Sequence, residues 1–312
     1  MDFQAYDVAM ACAREGGLDW RAVECVAERR GAVGRSAREG DEEKIDALWR
    51  ERIEANPKLF NGTKFRFAGC AVGTSGGTEA ERAVAARVTL GLTDYKTFLA
   101  TNLSEDWRDF IEDDDADGSF GTMTSSACGR ASVREEGSRY ARFANALGNC
   151  VCLRSADDYF FALQRSDDVG EAPGALVFPG GHGEPSELGL DVDDEDAPRS
   201  MDVSRYVFDN ALAELGEELG VHTSDVTDVR ILGITRRVIN ARPCMVFYAR
   251  TPLTSEEIIT SRYPLAADGY ESNAAVALRV DDFDRSRMPG DHVGALSLLI
   301  HALEHENLVT RA

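Results

Sequence analysis

The chain has 312 residues, 43% of them hydrophobic, with 28 glycines; this composition supports a full globular core and excludes a disordered or fibrous protein. Thirty-four Lys and Arg stand against 55 Asp and Glu, leaving −21, and so negative a surface repels nucleic-acid phosphates and anionic lipid. No run approaches the ~20 apolar residues of a membrane span, the N-terminus lacks the pattern of a secretion signal, and seven cysteines, an odd number, suit reduced thiols in the cytoplasm.

Residues 1–40 are rich in Arg, Gly and Glu with only a weak helical pattern, so they are expected to be poorly ordered. From Asp41 the pattern firms: Ile45, Leu48, Trp49 and Ile53 fall at helical spacing, and Pro57 ends the run. Phe65 and Phe67 alternate with Lys64 and Arg66 in a strand that sets the two cations on one face. A turn over 73–77, a capping box at Thr78-Glu-Ala-Glu81 and a strand over 84–90 follow. A helix over 94–99, closed by Thr101-Asn102, leads into an acidic stretch over 105–117. The second half has a different texture. Segments 149–153 and 159–165 alternate like a hairpin, and 174–178 is a short apolar strand running into Pro179-Gly-Gly181. A helix over 203–219 stops at Gly220; strands are expected over 229–234, 244–249 and 274–280, and an amphipathic helix over 293–305. Strands joined largely by hairpins, with few helices, indicate an α/β (α+β) sandwich with a mixed sheet rather than a doubly wound parallel one. A boundary near 145 divides a smaller α/β domain, 41–145, from a second domain, 146–312.

One constellation carries chemistry. Pro179-Gly180-Gly181-His182 lets backbone approach a ligand closely. Downstream, Glu214, Glu217 and Glu218 stand at i, i+3 and i+4 and share a helix face with no Lys or Arg among them, while Leu212, Leu215 and Leu219 anchor the adjoining side. Like charges crowded in this way repel, and a hard cation that takes oxygen ligands resolves the repulsion; magnesium suits it, with manganese as a substitute. A solvated acidic face is the competing reading of the three carboxylates alone, and the glycine segment weighs against it.

These residues resemble the Nudix hydrolases, whose box reads Gly, five residues, Glu, seven residues, then Arg-Glu-apolar-x-Glu-Glu-x-Gly-apolar. Gly181 and Glu187 match its first half; Glu214, Leu215, Glu217, Glu218, Gly220 and Val221 match its second. Two departures stand out: 25 residues separate Glu187 from Ala213 instead of seven, and Ala213 occupies the place of an Arg that in the family pairs with the first Glu. A longer ordered resemblance spans roughly residues 41–300. It includes Leu90-Gly-Leu-Thr-Asp-Tyr-Lys-Thr-Phe-Leu-Ala-Thr-Asn102, Pro179-Gly-Gly-His182 and Leu253-Thr-Ser-Glu256, and is similar to the UDP-glucose pyrophosphatase branch of the superfamily.

The resemblance implies a Nudix-type α/β/α sandwich with an added N-terminal domain. The implied activity is Mg²⁺-dependent hydrolysis of UDP-glucose or UDP-galactose to UMP and hexose 1-phosphate. Glu214 and Glu218 would be the leading metal ligands and Glu217 a ligand directly or through water. Glu271, before the last strand, is a candidate base, against the plainer reading of an exposed turn residue. Lys64, Arg66, Arg165 and Arg236 are candidate phosphate clamps, or surface ion pairs. Gly180, Gly181 and His182 would line the substrate, the histidine alternatively supporting backbone. Tyr95 and Asn102 would recognise uracil or ribose, or simply pack and cap. Two alternatives stay open: another nucleoside diphosphate derivative such as ADP-ribose or a dinucleotide, and a non-catalytic nucleotide-sugar-binding protein. The sequence leaves the oligomeric state undecided.

Overall fold

A computed structural model describes residues 3–13, 16–28, 33–72, 85–111, 132–134, 139–166, 172–191, 200–267 and 272–309. Eleven strands and four main helices form among them. The strands are β1 (Tyr6–Ala11), β2 (Val23–Ala27), β3 (Thr63–Val72), β4 (Ala86–Asp94), β5 (Ser132–Arg134), β6 (Gly148–Arg154), β7 (Phe160–Arg165), β8 (Leu176–Val177), β9 (Thr227–Arg237), β10 (Pro243–Arg250) and β11 (Ser272–Leu278). The helices are α1 (Asp41–Ala55), α2 (Tyr95–Thr101), α3 (Ser200–Leu219) and α4 (Gly290–Val309). The turn over 73–77, the capping box at Thr78, residues 112–117 of the acidic stretch and Glu271 lie outside the described residues. No described helix is long and apolar enough to cross a membrane.

Seven strands make one mixed sheet in the order β1-β9-β10-β6-β7-β11, with β8 paired to β7. Its central pair, β10 and β6, is parallel, and the other pairings are antiparallel. A second sheet runs β2-β4-β3-β5. The stretch 1–40, read from sequence as poorly ordered, supplies β1 to the large sheet and β2 to the small one. Neither strand carries a strong pattern of its own; each is specified by a neighbour more than fifty residues away in the chain.

The layers follow from which side chains alternate inward. On one face of the large sheet, Cys150, Cys152 and Val246 meet Leu296 and Leu299 of α4. On the other, Val151, Leu153 and Phe247 meet Phe208, Leu215 and Leu219 of α3. That same cluster takes in Phe65, Phe67, Val88 and Leu90 of the small sheet, so α3 lies between the two sheets. The small sheet is further tied to the large one through β3: Phe67 N–H donates to Asn145 O at 2.9 Å and Leu147 N–H to Phe65 O at 2.8 Å, on the segment entering β6.

Helix α3 buries Val203, Phe208, Ala211, Leu212, Leu215 and Leu219 at three- and four-residue spacing, which is why it forms. Its end is set by Gly220 at φ +68°, whose N–H on Gly216 O is the 5→1 bond of an αL cap, with Val221 N–H reaching Leu215 O beyond it. A Cβ at Gly220 would also overlap Arg262 O, so only glycine lets the helical turns at 255–265 pack here.

Candidate active site

The centre of the site is the bend that leaves β8. Phe178 N–H donates to His292 Nδ1 at 3.1 Å, and the chain then runs beside β6: Val151 N–H reaches Pro179 O and Asn149 N–H reaches Gly181 O, both at 2.8 Å. Gly180 has φ +152° and passes so close to Asn149 O that a Cβ would overlap it. At Gly181 a Cβ would overlap the Glu214 carboxylate. Gly180 N–H donates to Glu218 Oε2 at 2.7 Å, and Gly181 N–H to Asn149 Oδ1 at 3.2 Å. The two glycines and two of the three expected carboxylates therefore form one contiguous surface. Glu214 and Glu218 are half-buried against the bend, whereas Glu217 is exposed.

Beyond the bend the chain stays on α3. Asn149 Nδ2 donates to Asn210 Oδ1 at 2.9 Å; Gly183 lies against the Tyr206 ring; Glu184 N–H donates to Tyr206 Oη at 2.8 Å, and that hydroxyl reaches Glu184 O at 3.2 Å. Lys64 Nζ pairs with Glu184 Oε1 at 2.7 Å, and Ser186 N–H donates to Thr63 Oγ1 at 3.0 Å, so β3 of the small sheet braces the same loop. Tyr263, from the 255–265 turns, lies close enough to Glu218 that burial first and the carboxylate second push its phenol up.

The other expected residues are dispersed. Lys64 reaches the loop, whereas Arg66, two residues on in the same unbroken register, is buried and donates to Phe67 O and Ala141 O. Arg236 pairs with Asp7 at 2.9 Å and lies over the Tyr140 ring at 4.7 Å. Tyr95 packs edge-on against Trp49. Asn102 is buried, donating to Asn240 O and accepting from Asn145 N–H, a brace between α2 and two loops. His182 packs its ring against Phe98 at 5.4 Å. Arg165 ends β7 near His292 and adds to the positive field that, after burial, holds that imidazole down to about 4. Glu187 lies near the Tyr206 phenol, and its charge adds to burial in pushing that phenol up.

Sequence reading missed Asn149, Tyr206, Asn210 and Tyr263. Two of these carried a signal: Tyr206, Asn210, Glu214 and Glu218 recur every four residues and form one row along α3.

The donor set of that row is all oxygen and is the chemistry a hard divalent cation takes. Among the described residues no three His, Cys, Asp or Glu side chains already converge as a metal cage. The arrangement instead fits an ion shared among two or three carboxylates, water and a ligand's phosphates.

Comparison with known proteins points the same way. Nudix hydrolase 9 of Arabidopsis thaliana is 35% identical over 268 residues, which are 83% of this chain and 79% of that protein. Uridine diphosphate glucose pyrophosphatase NUDT22 of Homo sapiens is 29% identical over 273 residues, 86% of this chain and 82% of that protein. The Mus musculus protein of the same name is 29% identical over 249 residues, with 79% and 73% covered. No family-wide sequence profile matches the chain.

Proposed function

This chain belongs to the Nudix hydrolases, and from that membership we propose that it hydrolyses UDP-glucose or UDP-galactose to UMP and hexose 1-phosphate in the presence of Mg²⁺. The observation that carries the reading is the contact of Glu214 and Glu218 with the Gly180–Gly181 bend. Relatives bearing the name uridine diphosphate glucose pyrophosphatase favour the UDP-sugar over other nucleoside diphosphate derivatives.

Glu214 and Glu218 would hold the cation, with Glu217 adding a ligand directly or through water. When bound, the ion would neutralise diphosphate charge and make a water acidic enough to serve as nucleophile. The chain's own contribution is placement. Two glycines without side chains let a diphosphate lie against the carboxylates. Gly180 N–H orients one Glu218 oxygen, leaving the other directed away from that bond. Asn149 fixes the Gly181 peptide. Glu271, outside the described residues, is our candidate for the base that takes the water's proton. Arg165, at the end of β7 beside Ala175, is the expected phosphate-side cation whose charge is felt at His292, the acceptor of Phe178 N–H. Net charge −21 makes such local compensation necessary for any diphosphate to approach.

Purified protein incubated with UDP-glucose should release UMP and glucose 1-phosphate with Mg²⁺ and neither with EDTA, read by ³¹P NMR or chromatography. Cleavage of ADP-ribose with UDP-glucose untouched would move the substrate to another nucleoside diphosphate; saturable UDP-glucose binding without cleavage would make the chain a binding protein.

A further inference from the structure

We propose that Tyr206 is a positioning residue: its hydroxyl latches the Gly180–Glu187 loop along α3 and so keeps the glycine bend seated on Glu214 and Glu218. This rests on the reading of that bend as the diphosphate site.

The loop runs antiparallel to the helix and meets it in step. Gly180 binds Glu218, Gly181 is joined through Asn149 to Asn210, Gly183 lies on the Tyr206 ring, and Glu184 is bonded to Tyr206 through both its N–H and its C=O. Positions 206 and 218 are separated by about 18 Å of helix at 1.5 Å per residue. The four peptide steps from Gly180 to Glu184 reach at most about 14 Å. The long side chains of Glu218 and Tyr206 make up the difference at the two ends.

Three of its first four residues are glycine, which supply no stiffness of their own. A bend of that composition keeps its shape only through its anchors. The Tyr206 hydroxyl is suited to the task because one group accepts from a backbone N–H and also donates to an oxygen. The Glu187 carboxylate lies near enough for its charge to act on the phenol, while Ala213 is exposed and has no group that reaches the loop. The Tyr206 ring is placed independently of the loop by Phe65 of β3, with centroids 6.0 Å apart. The helix turns preceding Glu214 therefore acquire a role: they carry the latch.

The test is Y206F in the full chain, which keeps the ring and deletes the hydroxyl. We expect amide hydrogen exchange in peptides covering 180–187 to quicken at least tenfold, while β10 and α4 exchange as in the wild type and the melting temperature moves by no more than about 2 °C. With the same variant kcat for UDP-glucose should fall about tenfold with KM changed less than twofold, and the Mn²⁺ dissociation constant read by EPR should rise severalfold. Wild-type exchange in 180–187, or quickening spread evenly over the whole chain, would overturn the proposal. If the wild type releases no UMP, the functional reading fails, and the exchange measurement still decides the latch. N210A, which removes only the middle anchor, asks the same question with a smaller expected quickening at 181–183 if Y206F does not fold.

Discussion

Two sets of acidic side chains flank the large sheet and are handled in opposite ways. On the α4 face, Asp291 is fully buried and takes Arg237 Nε at 3.0 Å and Nη2 at 2.9 Å on one oxygen, with Arg242 Nε 3.9 Å from the other. Burial would raise its pKa, but Arg237 foremost, with Arg242 and, once it is protonated in acid, His292, outweighs it and holds the carboxyl well below the usual range. On the α3 face, Glu214, Glu217 and Glu218 follow one another with no Lys or Arg anywhere in 206–219, and two of them press on a glycine bend. One acid is matched by cations within the fold. The other set has no cation on its own stretch of helix and places two members against backbone glycines. The difference separates a carboxylate that specifies structure from the carboxylates to which we assign the chemistry.

Neutralising the α3 set should therefore remove activity and spare the fold. Glu218→Gln retains an oxygen to accept from Gly180 N–H, so the bend keeps its geometry while the charge is lost. We expect turnover to fall about a thousandfold or more, roughly 4 kcal/mol of transition-state stabilisation. The melting temperature should hold or rise slightly, since like charges four apart on a helix cost a few tenths of a kcal/mol. Glu214→Gln should behave alike, and Mn²⁺ binding followed by EPR should weaken in both. Glu271→Gln should instead lower turnover ten- to a hundredfold with Mn²⁺ binding intact; an unchanged rate would remove it as the base. A large loss of stability in E218Q would erase the contrast between the two faces.

The converse substitution is Arg237→Met, which leaves Asp291 buried beside a hydrocarbon chain. Removing one partner of a buried pair costs about 3–5 kcal/mol, because the remaining charge loses its compensation. Chemical denaturation should show that loss, while UMP release per folded molecule stays near the wild-type value. Equal damage to turnover in the folded fraction would mean that the α4 face contributes to the chemistry.

The same contrast explains what was legible in the sequence. The acidic row in the second half of α3 was readable because charge spacing on a helix is local: Glu214, Glu217 and Glu218 fall within about one turn. The glycine bend was readable for the same reason. Helices α1 and α3 and strands β6, β7, β9 and β10 likewise announced themselves by period. Arg66 and Arg236 were read as phosphate clamps or surface ion pairs, and Asn102 as a nucleoside contact or a helix cap, with no partner named for any of them. Their partners are Ala141, Asp7 and Asn240, the second 229 residues away, and no local pattern reveals such pairings. Strand β1 escaped notice for a similar reason, since its register on β9 is set across more than 200 residues. Tyr206 lay within reach. The four-residue row that ends in Glu218 begins there, but its side chain is aromatic, and a search for charge passes over it.

The smallest expected effect joins the two faces through His292. Its Nδ1 accepts Phe178 N–H two residues before Gly180, so the ring must be neutral at that atom. Burial first, with Arg242, Arg237 and Arg165 adding to it against the pull of Asp291, holds the imidazole down to about 4 from the ordinary 6.5. A base whose folded pKa is depressed binds its proton more readily in the unfolded chain. Stability is thus full above pH 6.5 and declines as the pH falls toward 4, by up to roughly 3 kcal/mol for a shift of this size. Thermal melts between pH 7.5 and 4.5 should show that decline, and His292→Gln, which keeps an acceptor for Phe178 N–H but does not titrate, should flatten it. Protonation also ends the hydrogen bond that steadies the strand exit, so exchange at 178–181 should quicken over the same pH window in the wild type alone. An identical acid profile in H292Q would assign the pH dependence to the carboxylates and leave the two faces uncoupled.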